Sequence, residues 1–220
     1  SSMNTFTYVA DPRFKIHGVG VKLDNSPTYW YDTTNEALIA IEANAKGRPI
    51  ALLCHNMYFD GWILHKCYDW HPDLYLDTMG MSRGMFPGQP ASLDKLAERL
   101  WPNDLKMRKG KELVNFKGVT TEQLYANPAM LETMKRYCCG SKKAAGDVDL
   151  TYEAFMRMLP YYPDEELELI HLTLQFHCEP MLMIDTAMVK SAMDEAIIER
   201  QIIIDASGLS ESTLSSNAKF

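Results

Sequence analysis

The sequence predicts an α/β fold, and three observations carry that prediction. Short strand-like runs alternate with capped amphipathic segments; Ile50 to Cys54 is a continuous apolar run held between turn signals; and the first elements come in the order β, β, α, β, α, β before helices take over.

The first strand signal is an alternation that places Phe14, Ile16, Gly18 and Gly20 on one face and Val19, Val21 and Leu23 on the other. Asn25-Ser26-Pro27 turns the chain into a second, aromatic-rich strand, Thr28 to Tyr31. Thr33 and Glu36 stand at capping-box spacing before a helix carrying Leu38, Ile39 and Ile41, which Gly47 and Pro49 close. Ile50 to Cys54 suits a strand buried on both faces, Asp60 to Tyr68 a helix, and Leu74 to Leu76 a brief strand ending at Asp77-Thr78.

Met79 to Pro90 has the Gly and Pro content of a loop, and Ser92 can cap a helix with Leu93, Leu96, Ala97 and Leu100 inward. Asn103 to Gly118 reads as a polar connection. Thr120 and Gln123 again have capping-box spacing, opening a helix through Leu124, Leu131, Met134 and Tyr137. Gly140 to Gly146 interrupts, Asp147 starts a helix with Val148, Leu150, Tyr152 and Phe155 inward, and Pro160 and Pro163 stop it. Asp164 to Ala206 reads as helical with a break at Pro180, and Ser207 to Phe220 as a Ser-rich linker. The expected organisation is an α/β domain over 1–160, a helical extension over 161–206 whose Leu167, Ile170, Leu174, Met181, Met188 and Met193 pack on the domain, and the linker over 207–220.

Composition sets wide bounds. With 220 residues and 46% apolar content the chain can bury one substantial core. No run approaches the roughly eighteen apolar residues of a membrane span, and Ser1 to Val9 lacks a signal peptide's basic-then-apolar pattern, so a soluble protein is expected. Five cysteines without paired metal-ligand spacing argue for thiols rather than a disulfide framework or zinc site. The net charge of −7 speaks against coating nucleic acid by bulk charge, yet a local patch can still bind it. Lys106, Arg108, Lys109, Lys111 and Lys117 form such a patch, a candidate DNA contact or simply a solvated loop.

Two segments carry chemistry. In Cys54-His55-Asn56-Met57-Tyr58-Phe59-Asp60 a strand runs into a polar pair and then a carboxylate in the first turn of a helix. Ligands in α/β sheets gather at the carboxyl ends of strands, where Asp60 can hold a hard cation and Asn56 a sugar or phosphate; the plainer alternative is a helix-dipole charge. In the second segment Tyr137 is followed by Asp147 on the next helix, a phenol and a carboxylate suited to metal-assisted hydrolysis, or else a core aromatic and an ordinary first-turn acid.

Together these segments resemble the second and third exonuclease motifs of the DnaQ-like proofreading family, as found in phage-type family A DNA polymerases. Tyr8 to Val21 looks like the strand that follows the first motif, and Leu113 to Gly118 like a connection in those enzymes. Asp147 to Phe155 looks like their closing helix, and Leu214 to Phe220 like the junction into the polymerase region. The resemblance implies an RNase H-like mixed sheet flanked by helices. It also implies a 3′–5′ exonuclease that hydrolyses a single-stranded DNA 3′ end with two Mg or Mn ions, working in the cytoplasm of a bacterial host beside the polymerase region of a longer chain. Residue by residue, Asp60 and Asp147 are the metal carboxylates, Tyr137 orients the water, and Asn56, Phe59 and His55 meet the terminal nucleotide.

The sequence departs from that pattern twice. No Asp-x-Glu precedes Tyr8, so two of four expected carboxylates and the central strand that bears them are absent from these residues; Asn4 to Val9 has the β-propensity to substitute for the strand. Second, nine residues separate Tyr137 from Asp147 where the family has three, and deleting Ser141 to Gly146 would restore that spacing. The two can meet only if the insertion bulges out as a loop. An inactive DNA-binding or packing platform and a stand-alone ribonuclease of the same fold stay open as alternatives.

Overall fold

A computed structural model describes residues 4–216. Asn217 to Phe220, most of the junction-like segment, lie outside the described residues, as do Ser1 to Met3. The chain divides into two compact units, Ser1–Glu179 and Pro180–Phe220, with the boundary at the helix break the sequence marks at Pro180.

The first unit is α/β and mostly helical. Strands β1 (Val19–Lys22) and β2 (Thr28–Tyr31) form an antiparallel hairpin with Val19 opposite Tyr31, closed by a turn in which Ser26 N donates to Leu23 O at 3.0 Å. Strands β3 (Ala51–Cys54) and β4 (Leu74–Asp77) pair in parallel, Cys54 opposite Asp77. The two ladders are separate, so the described residues do not make the single mixed sheet that the resemblance implies. No strand joins them because Thr5–Ala10 folds as helix α1, with Asn4 Oδ1 accepting from Thr7 N at 2.9 Å; that cap overrides the β-propensity of Asn4 to Val9. The first strand is also shorter than the alternation from Phe14 suggests. Ile50 to Cys54, expected buried on both faces, is half-buried, and Ala51 is exposed at the edge of its two-stranded ladder.

Helix α2 (Thr34–Ala45) has the predicted capping box, with Thr33 and Glu36 exchanging hydrogen bonds, and it ends at Lys46 in the left-handed conformation. Helix α3 (Met57–Tyr68) follows β3, and β4 leads directly into α4 (Thr78–Met85), then α5 (Leu93–Leu100). The sequence reading made Met79 to Pro90 a loop; only its second half is. Asp77 Oδ1 accepts from Met79 N at 3.0 Å and starts the helix despite Gly80 and Gly84. A 3-10 turn, Glu112–Phe116, occupies part of the polar connection. The expected helix from Thr120 to Tyr137 is two, α6 (Thr121–Ala126) and α7 (Pro128–Cys139), because Pro128 cannot continue α6 and Asn127 caps a new start. Helices α8 (Asp147–Met158) and α9 (Asp164–Cys178) complete the unit.

Two of the four buried clusters among the described residues meet at Ile170 of α9. Met81, Leu96, Ala154, Met158 and Tyr162 join α4, α5 and α8, while Met57, Tyr75, Leu174 and Cys178 join α3, β4 and α9. Each fully buried side chain of this size contributes about 1.5–3 kcal/mol, which makes α9 integral to the domain. The hairpin docks on α7 and α8 through Gly20, where a Cβ would stand 3.1–3.2 Å from Val148, Cys138 and Cys139. Asp149 ties the same junction, accepting from Thr28 Oγ1 at 2.7 Å and pairing with Lys22 at 3.2 Å.

The second unit holds α10 (Thr186–Ser207) and α11 (Glu211–Leu214). The expected packing holds for Leu167, Ile170 and Leu174 of α9; Met181, Met188 and Met193 are exposed, and α10 buries no residue. The predicted linker is helical at α11, where Glu211 pairs with Arg200 at 2.5 Å. No described helix is long and apolar enough to cross a membrane. The five cysteines are free thiols.

Candidate active site

The carboxyl ends of β3 and β4 point into the starts of α3 and α4, and that shared end gathers the polar residues. Asn56 is the second residue after β3, held in the left-handed region at φ 73°, which asparagine tolerates better than other side chains. Its main-chain N–H donates to Asp77 Oδ1 at 2.8 Å, so Asp77 bridges the two strand ends while also capping α4. Asn56 makes no capping bond with its own side chain, which leaves the amide available to a ligand. Phe59 lies 6.0 Å, ring to ring, from the exposed Tyr8 of α1.

Asp60, in the first turn of α3, behaves against the helix-dipole reading. Although the residue as a whole is only partly buried, its carboxyl group is desolvated, and with Asp77 beside it the pKa is pushed up to about 7. A dipole effect alone would have lowered it. Two neighbouring carboxyls, one resisting ionisation, are the arrangement a hard cation relieves.

His55 Nδ1 is hydrogen-bonded to Thr78 Oγ1 at 2.8 Å, and that hydroxyl also lies 3.3 Å from Cys54 O. Its Nε2 is buried without a partner. Burial lowers the histidine's pKa, Lys109 lowers it further, and Asp77 and Asp147 oppose both. His55 therefore senses both acidic groups, the one at the strand ends and the one on α8.

Tyr137 and Asp147 come together although nine residues separate them. Gly140 ends α7 at φ 77°, Ser141 N donates to Ala144 O at 2.7 Å, and the chain returns so closely that a Cβ on Gly146 would lie 2.2 Å from Gly140 N. The insertion is a closed loop with a glycine on each side of its neck. The Tyr137 phenol is buried beside Asp147, and burial first, then that charge, hold its pKa far above the ordinary value. Asp147 itself is paired with Lys109, whose ammonium stands 4.9 Å from the centre of the Tyr137 ring. The Tyr137 phenol is the donor that faces the carboxylate. A cavity of about 70 Å³ beside Tyr137 is lined by Arg108, Glu112 and Arg136.

Two side chains of the basic loop, Arg108 and Lys109, are committed inward. Arg108 donates to the carbonyls of Trp101 at 2.9 Å and Pro102 at 2.7 Å, closing the end of α5, and Lys109 is held by Asp147. Lys111 stays exposed, as does Lys106, whose main-chain carbonyl accepts from Ala145 N.

The structure thus brings Asp60, Asn56 and His55 to one strand end and Tyr137 to Asp147, and the charges of Asp77 and Asp147 both act on His55. The charge that acts on Asp60 is that of Asp77, and Asp147 is not felt there. Asp77 was missed in the sequence because the following helix was read as a loop; its position at a strand's carboxyl end is the same signal that singled out Asp60. Among the described residues no three His, Cys, Asp or Glu side chains stand together as a metal site. The residues offer a hard cation two neighbouring carboxyls at Asp60 and Asp77, and a single one already paired with Lys109 at Asp147, not the ligand set of two ions. Comparison of the chain with family models, with curated proteins and with solved structures found no match.

Proposed function

We propose that the first unit is a 3′–5′ exonuclease module of the proofreading kind, built to take the 3′ end of single-stranded DNA beside the polymerase region of a longer chain. The observation that supports this most is the closed Gly140–Gly146 neck, which puts a buried phenol against a carboxylate across an insertion that would otherwise part them. The RNase H-like arrangement belongs to the same proposal, and the parallel β3–β4 pair with α3 following β3 supports it.

In this reading Asn56 and Phe59 hold the terminal nucleotide, Asp60 with Asp77 and Asp147 offer oxygen ligands, and Tyr137 orients the attacking water from its apolar pocket. A bound Mg or Mn ion would neutralise charge on the phosphoryl group and make its water a better nucleophile. The expected activity is low, because among the described residues no three His, Cys, Asp or Glu side chains stand together to hold the ions.

One observation favours a second reading, an inactive DNA-binding platform: Asp147 already has a cation in Lys109. The discriminating experiment uses 5′-labelled single-stranded DNA with manganese. An exonuclease shortens it stepwise from the 3′ end, slowly, and Asp60→Asn and Asp147→Asn stop it. Retention of DNA without shortening leaves the platform; the same rate with both variants would remove the proposed site.

A further inference from the structure

Helix α1 buries none of its residues, yet it carries two large aromatic side chains, Phe6 and Tyr8, that are 46% and 47% exposed. Both lean on α3. Phe6 meets Trp62 edge to face at 4.7 Å, while Tyr8 lies 5.4 Å from Phe14 and 6.0 Å from Phe59, ring to ring. Phe59 directly precedes Asp60, and its main-chain N–H donates to Asn56 O at 3.0 Å, so the aromatic surface runs into the strand-end site. Single apolar residues at a surface need no explanation; a run of neighbouring rings at the edge of a candidate site does. Next to Phe14 in the chain is Arg13, whose Nε and Nη2 donate to the Asp11 carboxylate at 2.9 and 2.6 Å. The acid is turned inward and the base outward, at 17% and 83% side-chain exposure, so a guanidinium fixed in place faces solvent.

We propose that Tyr8, braced by Phe14 and Phe59, is a stacking surface for an unpaired base of single-stranded DNA, and that Arg13 meets an adjoining phosphate. The inference rests on the reading of Asn56 and Phe59 as the grip on a terminal nucleotide, and gives Tyr8 the base next to it. The half of Tyr8 that Phe14 and Phe59 leave uncovered is the half a base can take. A ring offers its face to any base, and a nearby cation neutralises backbone charge, so both parts of a single strand are matched. A duplex keeps its bases stacked on one another and has no face to give Tyr8, which makes the surface selective for unpaired strands. The net charge of −7 does not oppose this, because stacking needs only a local positive charge beside it.

A thymidylate oligonucleotide with 2-aminopurine next to its 3′ end, titrated with the full chain in EDTA and followed by fluorescence, tests this without any hydrolysis. The wild type should quench the 2-aminopurine as it binds, because that base loses its emission when stacked on a ring. Tyr8→Ala should abolish the quenching and weaken binding about tenfold, whereas Tyr8→Phe, which keeps the ring, should retain both. Arg13→Gln should keep the quenching and reduce the slope of log affinity against log salt by about 0.7; an unchanged slope overturns the phosphate contact. Binding and quenching by Tyr8→Ala at the wild-type level overturn the stacking proposal, and the grip of Asn56 and Phe59 stands if Asn56→Gly still weakens binding. No binding by the wild type overturns both readings. Two measurements on the wild type are independent of how the variants fold: binding without quenching, or equal competition by a duplex of the same sequence, refutes the stacking surface.

Discussion

Asp77 and Asp147 are both carboxylates at the start of a helix in the same unit, yet the fold holds them in opposite ways. Asp77 is almost wholly buried at 2% exposure and is satisfied by neutral donors, the main-chain N–H groups of Asn56 and Met79. Asp147 has the positive charge of Lys109 on one oxygen and the Tyr137 phenol as the donor facing the carboxylate. Asp60, between these extremes, has neither a lysine nor a second strand end to hold it, and its pKa rises to about 7. Donors that belong to the backbone cannot leave, so Asp77 is an architectural group. A lysine side chain on a loop is not fixed as a backbone donor is, and Asp60 is the carboxyl that its surroundings leave least able to ionise.

The comparison breaks most visibly at Asp77. Asp77→Ala removes the acceptor for two main-chain donors at once, and an unsatisfied buried donor costs about 1–3 kcal/mol, so a loss of roughly 3 kcal/mol is expected in urea unfolding. A loss below about 0.5 kcal/mol would show that water replaces the carboxylate and that Asp77 is not architectural.

Asp60 gives the next largest effect, through pH. Its folded pKa near 7 lies above the ordinary 3.8, so between those values the folded form holds a proton that the unfolded chain releases. The metal-free protein should therefore lose stability as the pH rises from about 4 to 7, by roughly 1–3 kcal/mol after solvent screening is allowed for. Asp60→Asn should flatten that window. An unchanged slope would mean that the Asp60 carboxyl is hydrated.

How much of this was visible beforehand divides along physical lines. Both capping boxes, the β3–α3–β4 order, the Pro180 break and the loop at Gly140 to Gly146 follow from local rules about donors, acceptors and φ angles, and all are present. Helix α4 was hidden because Gly80 and Gly84 look like loop residues, whereas their lack of a side chain suits packing against Ile170 and Tyr162. The division of four strands into two ladders was hidden too, since strand partners are set by tertiary contacts that no run of residues declares. Asp60, Asn56, Tyr137 and Asp147 were legible as a candidate site from strand ends and motif spacing. Asp77 and the inward turn of Lys109 were not, because a basic loop gives the same sequence signal whether it faces solvent or a buried acid.

Lys109→Met should reduce stability by about 1 kcal/mol, less than Asp77→Ala, because a partly exposed ion pair is screened on its open side. Thermal melts of the variant beside the wild type check the difference. The smallest effect belongs to the insertion. Deleting the exposed Lys142 and Lys143 should change the unfolding free energy by no more than about 0.5 kcal/mol, since the loop ends already touch and the core contact of the insertion is made by Ala145. A large loss would show that the loop itself holds Tyr137 in place.

That pinched neck has a practical side. Because Gly140 and Gly146 come into backbone contact and Ala145 is tied to Lys106, the exposed tip from Ser141 to Lys143 is the part whose length and chemistry are uncoupled from the helices on either side. A fluorophore, an affinity tag or a longer natural insert could be grafted there as a side branch, leaving the tyrosine and the aspartate in register.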